Sequence, residues 1–316
     1  MRILLAEPDN FSLVGENLLR EVASVERRAI RQEEMSQALV DYDVVWTRLH
    51  LKVRQEDIPA NPRCRFVVTA TTGTDHLAIK ELHAAGIQVL SLRGHKDFLE
   101  TISVTADLAL ALILAVVRRI PAAVNSVVQQ GRWERDAFRG VELYGKTAGV
   151  LGFGRLGKKI SASLLAIGMR IVVWDPYVEV LDERVEQATS FKEFLQQSDV
   201  ITLHVPLTDE TRNMMNRQAF GEMKSGAFLV NTSRGMIIDE DALLDVLEQG
   251  KLGGAALDVL CGEPHVDVTN PLIQYARKHE NLIITPHIGG AVVGVMARCE
   301  EYLANILIGL LLHENA

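Results

Sequence analysis

Short apolar runs alternate along this chain with longer stretches in which apolar residues recur every three or four positions. The runs at 2–7, 43–48, 65–71 and 88–92 predict strands, and the periodic stretches at 11–22, 32–39 and 76–85 predict helices between them. Such alternation predicts a parallel sheet covered by helices on both faces. Arg93-Gly94-His95-Lys96-Asp97 then forms a polar break. A very apolar helix follows over 100–120, interrupted at Pro121, with a second helix running to Gln130 before Gly131. A helix this apolar must be covered on most sides, so we expect it to link two domains and to lie near a dimer interface. From 146 onward the alternation resumes. Strands are expected at 148–151, 170–174, 200–205, 227–232, Gly254–Leu257 and 281–285. Helices are expected at 156–169, Phe191–Gln197 and 239–249, the last with an acidic N-terminal turn. A final apolar helix over 292–312 is expected to pack back on the first domain. The pattern therefore predicts an α/β protein of two doubly wound parallel-sheet domains. Residues 1–98 plus 289–316 form one, discontinuous in sequence, and residues 99–288 form the other.

Composition narrows the function classes. The chain has 316 residues, of which 48% are hydrophobic and 23% charged, ordinary values for a globular protein with two cores. A formal net charge of −8 disfavours a nucleic-acid partner. Cys64, Cys261 and Cys299 are widely spaced and odd in number; they form no metal-ligand cluster, and we expect a reducing, cytoplasmic setting. The apolar run at the N-terminus is too short for a signal peptide. The segment Val104–Val117 contains Asp107 and falls short of a membrane span, so no membrane partner is expected.

The stretch 147–175 carries the clearest chemistry. Gly152, Gly154 and Gly157 fit Gly-x-Gly-x-x-Gly between a predicted strand and a predicted helix. The first permits a tight turn, the second lets the backbone approach a pyrophosphate, and the third lets the helix pack closely on the sheet. The helix N-terminus offers N–H groups and a partial positive charge to the phosphates. The next strand ends in Asp175, about 20 residues past the glycines, where a carboxylate can bind the ribose hydroxyls. Asp175 favours NAD over NADP, because a carboxylate repels a 2′-phosphate, and the residues after it are Pro176-Tyr177 rather than a base.

Gly152, Asp175, Pro206, Arg234, Asp258 and His287 each follow an apolar strand. In open parallel sheets ligands bind outside the carboxyl ends of strands, so these six are expected in one crevice. Hydride transfer between a carbinol and a nicotinamide also moves a proton at the oxygen, and histidine suits that task near neutrality. His287 is expected as the acid/base, Glu263 as the carboxylate that orients it, and Arg234 as a two-pronged clamp for a substrate carboxylate. Asp258 has two readings, a partner for the nicotinamide carboxamide or a buried cap. The loop Thr72-Gly73-Thr74-Asp75 either presents N–H groups to an anion or is an ordinary helix cap. Arg48, His50, Lys52 and Arg54 either supply cations for a phosphorylated substrate or form a solvated loop.

The chain resembles the D-isomer-specific 2-hydroxyacid dehydrogenase family, particularly its D-3-phosphoglycerate dehydrogenase-like members. The resemblance rests on six stretches in family order. They are Leu151-Gly152-Phe153-Gly154-Arg155-Leu156-Gly157, His204-Val205-Pro206-Leu207-Thr208-Asp209-Glu210-Thr211, Asn231-Thr232-Ser233-Arg234-Gly235, Ala256-Leu257-Asp258-Val259, Glu263-Pro264 and Thr285-Pro286-His287-Ile288-Gly289-Gly290. The N-terminal third matches more weakly, through Thr72-Gly73-Thr74-Asp75-His76. The resemblance implies an NAD-dependent oxidoreductase acting on a D-2-hydroxyacid and its 2-keto acid, such as the 3-phosphoglycerate or glycerate/hydroxypyruvate pairs. It also implies a homodimer and a cleft between two domains. It assigns His287, Glu263 and Arg234 to catalysis. Arg155 and Leu156 would meet the pyrophosphate, and Thr105, Val205, Pro206, Thr211, Thr232, Ser233, Asp258, Gly289 and Gly290 would line the cofactor. Thr72, Gly73, Thr74 and Arg48 would serve the substrate. Departures fall at Asp107, at Leu260-Cys261-Gly262 and at Ala291-Val292-Val293-Gly294. The sequence leaves no room after 316 for the regulatory domain of longer phosphoglycerate dehydrogenases, so serine feedback is not expected. A rival function is an NAD(H)-sensing protein similar to the C-terminal-binding corepressors; the presence of all three catalytic candidates favours chemistry.

Overall fold

The computed structural model describes residues 1–313. The chain divides into two compact units, Met1–Ile102 with the segment from Ala291 onward, and Ser103–Gly290. In the first unit strands β1 (Arg2–Leu5), β2 (Ser24–Arg27), β3 (Val44–Thr47), β4 (Phe66–Thr69) and β5 (Gln88–Ser91) alternate with helices α1 (Leu13–Arg20), α2 (Met35–Asp41), α3 (Ile79–Ala84) and α4 (Lys96–Glu100). They build one parallel sheet in the order β2-β1-β3-β4-β5. Every residue of β3 and β4 is buried, as central strands covered on both faces must be. Two elements escape the hydrophobic pattern. β2 is an edge strand that buries only Val25, so no apolar run announces it. The polar break at 93–97 runs into the short helix α4.

The second unit comprises α5 (Val104–Val117), α6 (Ile120–Gln130), β6 (Thr147–Leu151), α7 (Arg155–Ala166), β7 (Arg170–Trp174), β8 (Val185–Gln187), α8 (Phe191–Gln197), β9 (Val200–Leu203), α9 (Arg217–Glu222), β10 (Phe228–Asn231), α10 (Glu240–Glu248), β11 (Gly254–Leu257), α11 (Pro271–Ala276) and β12 (Leu282–Ile284). Its seven strands are parallel in the order β12-β11-β10-β9-β6-β7-β8. Side chains alternate between two cores. Val150, Val173 and Val230 pack with Ala109 and Ile113 of α5 and Ile160 and Leu164 of α7. Leu151, Leu203 and Leu229 pack with Phe194, Phe220, Leu243 and Leu272 on the other face. The segment Lys96–Val117 has the length and composition of a membrane span. Within it, α5 places Ala109, Ile113 and Val116 in the core beneath β10 and β11. β8, α9 and α11 are short and lack a sustained pattern, which is why the sequence does not announce them.

The strand order of this unit reverses between β6 and β9. The chain runs outward from β6 through β7 and β8, then returns to the other side of β6. Ligands of doubly wound sheets bind outside the carboxyl ends at that switch point. The first unit is completed by α12 (Val293–His313), which packs along α1 and buries Leu303, Ala304 and Leu307.

Candidate active site

The loop from β6 into α7 lies at the switch point. Gly152 has φ +88°, and a Cβ there would stand 2.8 Å from the carbonyl oxygen of His204, the first residue beyond β9. A Cβ on Gly157 would stand 2.1 Å from the Gly152 oxygen, so the helix can start only where the turn leaves it room. Gly154 is the N-cap of α7 and donates no side-chain cap, and a Cβ on it would meet nothing within 4 Å. The mouth of the helix is therefore open. Arg155 and Leu156 are its first two residues. Asp175 follows β7 directly and accepts hydrogen bonds from the N–H groups of Phe153 (2.8 Å) and Tyr177 (2.9 Å). Its carboxylate thus holds the Gly-rich turn in register with the tip of β7.

The reactive candidates cluster at the other end of the same sheet edge, beyond the adjacent strands β10, β11 and β12. His287 lies three residues past β12 with φ +53°. Its N–H donates to the carbonyls of Asp258 (2.7 Å) and Thr285 (3.0 Å). Its ring Nδ1 is 2.9 Å from Glu263 Oε1, with both side chains partly exposed. Asp258, directly after β11, is only 1% exposed. Its Oδ1 accepts from Thr285 Oγ1 (2.6 Å) and the Ile288 N–H (2.8 Å), and its Oδ2 accepts from the Gly289 N–H (2.8 Å). Of the two readings of Asp258, the buried cap is the one these contacts display; the carboxylate clamps the turn that presents His287. Thr105 Oγ1 adds a bond to the Gly289 carbonyl (3.0 Å).

Arg234 follows β10, and its guanidinium donates to the Ser233 carbonyl (2.7 Å). Its neighbour Gly235 lies against the backbone of Leu260 and Cys261; a Cβ there would be 2.2 Å from the Leu260 carbonyl carbon. The turns carrying Arg234 and Glu263 are therefore in direct contact. Ser233 Oγ donates to the Leu203 carbonyl (2.7 Å), which ties β10 to β9. Thr211 Oγ1 donates to the Pro206 carbonyl (2.6 Å) and stabilises the loop that begins at Val205. Gly290 has open space where a side chain would stand.

In the first unit the outcome differs. The guanidinium of Arg48, expected to serve the substrate, is engaged within the first unit. Two of its nitrogens bind Glu300 Oε1 and a third binds the Asp9 carbonyl, and Glu300 is 1% exposed. Arg48 is the counter-ion of a buried carboxylate on α12, a partner 252 positions away that local sequence does not reveal. The Thr72–Thr74 loop follows β4, with Thr71 Oγ1 donating to the Gly73 carbonyl (2.7 Å), Thr74 buried and Thr72 exposed.

Residues 110–289 match the family model of the D-isomer specific 2-hydroxyacid dehydrogenase NAD binding domain. The chain belongs to that family. A hydroxypyruvate reductase of Thermotoga maritima is 35% identical over 283 residues, which are 88% of each chain. A D-3-phosphoglycerate dehydrogenase of Synechocystis sp. is 34% identical over 312 residues, 96% of this chain and 54% of that protein. The chain thus spans about half the length of the phosphoglycerate dehydrogenase it matches. Among solved structures, an NAD-dependent formate dehydrogenase from Staphylococcus aureus in complex with NAD superposes with a TM-score of 0.86 at 26% identity, covering 99% of this chain and 96% of that one.

The second unit carries the match to the family's NAD binding domain, and its local geometry fits a dinucleotide. The mouth of α7 is open at Gly154, Asp175 stands at the tip of β7, and Thr232 Oγ1 is buried past β10 with no protein partner among the described residues. Three contributors were assigned no role from the sequence. Thr285 is a donor to Asp258. His204 sets the floor of the Gly152 turn, and burial lowers its pKa from 6.5 to about 4. Glu240, expected only as a helix-end acid, accepts the N–H of Cys261 (2.6 Å).

Proposed function

We propose that the chain transfers a hydride between NAD(H) and a D-2-hydroxyacid/2-keto acid pair. The observation that carries this reading is the 2.9 Å contact between His287 Nδ1 and Glu263 Oε1 at the carboxyl edge of the NAD-binding sheet. The turn at Gly152–Gly157, the head of α7 and Asp175 would hold NADH, which when bound would provide the hydride for the carbonyl carbon. The chain's own residues manage the proton and the substrate. Glu263 accepts the Nδ1–H of His287, which fixes the tautomer and aims Nε2 at the substrate oxygen. In reduction His287 gives that oxygen its proton; in oxidation it takes the proton back. Arg234 holds the substrate carboxylate with a planar pair of donors. For the first unit we assign a substrate-binding role to Thr72, Gly73 and Thr74.

The substrate class rests on the relatives. Hydroxypyruvate, 3-phosphohydroxypyruvate, glyoxylate and pyruvate are the acids to test, and the commitment of Arg48 to Glu300 takes one cation away from the phosphorylated option. The arrangement supports turnover over NAD(H) sensing, since a sensor does not need a carboxylate-oriented imidazole. Oxidation of NADH followed at 340 nm over this panel tests the reading. Turnover on at least one acid is expected; binding of NADH without turnover on any of them would turn the balance to the sensor.

We further propose a homodimer and a cytoplasmic setting. Ile120, Val124, Val127 and Val128 form an exposed stripe at positions i, i+4, i+7 and i+8 of α6, and Trp133 beyond it is 89% exposed. An apolar stripe of that width suits a second copy of the chain. Cys64, Cys261 and Cys299 form no disulfide among the described residues, which suits a reducing compartment.

A further inference from the structure

Glu240 stands at the first position of α10, yet it does not cap the helix. Asp239 does that, accepting the Ala242 N–H at 3.0 Å. Glu240 instead accepts the backbone N–H of Cys261 at 2.6 Å. Cys261 is two residues before Glu263, and the residue between them, Gly262, has φ +85°. The turn that delivers Glu263 to His287 therefore starts from a backbone group held by Glu240. Gly235 closes the same spot from the opposite side, lying against Leu260 and Cys261 so tightly that no side chain fits. Three segments meet there: the turn carrying Arg234, the head of α10, and the turn carrying Glu263.

We propose that Glu240 is a positioning residue for the acid/base pair, anchoring the 260–263 turn so that Glu263 Oε1 meets His287 Nδ1; this rests on the dehydrogenase reading above. The charges around it make the placement costly. Burial is the main reason its carboxyl sits above the usual carboxylate range, and the neighbouring carboxylates of Asp241 and Glu263 push the same way, while the hydrogen bonds from Cys261 oppose them. Burial likewise pushes the Cys261 thiol up to about 12, helped by Glu240 and Glu263, with Arg212 opposing. A carboxyl kept in so unfavourable a place, with no role in its own helix cap, is characteristic of a functional site.

The test compares Glu240→Ala, which removes the acceptor, with Glu240→Gln, whose amide oxygen can still accept the Cys261 N–H. Two quantities are read: the downfield ring N–H proton resonance of His287, identified by its loss in His287→Gln, and the steady-state kcat and KM. In Glu240→Ala the resonance should vanish or move, and kcat should fall about 10-fold while KM changes by less than about 2-fold, the signature of a lost transition-state contribution. Glu240→Gln should restore both. An unchanged resonance and kcat in Glu240→Ala would overturn the proposal. A wild-type protein that shows the resonance but turns over no 2-keto acid would refute the dehydrogenase reading alone, and the resonance would still decide the role of Glu240.

Discussion

His287 occupies the left-handed region of the backbone, which costs a residue with a side chain about 1–3 kcal/mol. The surrounding bonds over-determine it. Two carbonyls accept its N–H, and Asp258 takes three donors from the residues on either side. A conformation held that firmly fixes the direction of the imidazole before any substrate arrives, which is what acid/base catalysis requires. His204 shows the opposite use of an imidazole. Its Nε2 lies 2.9 Å from Thr202 Oγ1, its Nδ1 is buried without a partner among the described residues, and burial brings its pKa from 6.5 to about 4. The native state therefore keeps it neutral, whereas the unfolded chain takes up a proton below pH 6.5. The stability this group contributes is present above that value and is lost as pH falls towards 4. The urea midpoint of the wild type should accordingly drop more steeply between pH 7 and pH 4.5 than that of His204→Gln, the pH values being about those that bracket the window. Parallel midpoint curves would contradict this assignment.

At the scale of elements, legibility followed burial. β6, β7 and β9 to β11 could be read because strands covered on both faces are nearly continuous apolar runs, and β12, an edge strand that buries only Leu282, because all three of its residues are apolar. The residues placed beyond them, from Gly152 to His287, could be read for the same reason: strand ends in a parallel sheet point one way. β2 and β8 could not, since each is an edge strand with one buried valine among mostly polar residues. The partners of Arg48 and Glu240 lie far off in sequence and carry no local pattern, so only the folded chain reveals them. α6 is the element whose pattern points outward. Its stripe of Ile120, Val124, Val127 and Val128 should bury itself against a second copy. Sedimentation equilibrium should give twice the 35.0 kDa chain mass, falling to the single mass in a Val124→Glu, Val128→Glu double variant. A monomeric wild type would refute the dimer.

Across the whole molecule, two parallel sheets of five and seven strands share one chain, and the second unit interrupts the first in sequence. The seven-stranded unit carries the Gly-rich loop and the His287–Glu263 pair on a single sheet edge, with the loop over β6 and β7 and the pair beyond β11 and β12. Under the proposed function, cofactor binding and proton transfer depend on different strands of one sheet, and a substitution at one end should leave the other intact. His287→Ala, assayed on the most active 2-keto acid, tests this most directly. NADH affinity should stay within about 2-fold of the wild type, while kcat falls by about 10²–10⁴, the usual contribution of a positioned acid/base. A variant that keeps the wild-type kcat would contradict the assignment of the proton to His287.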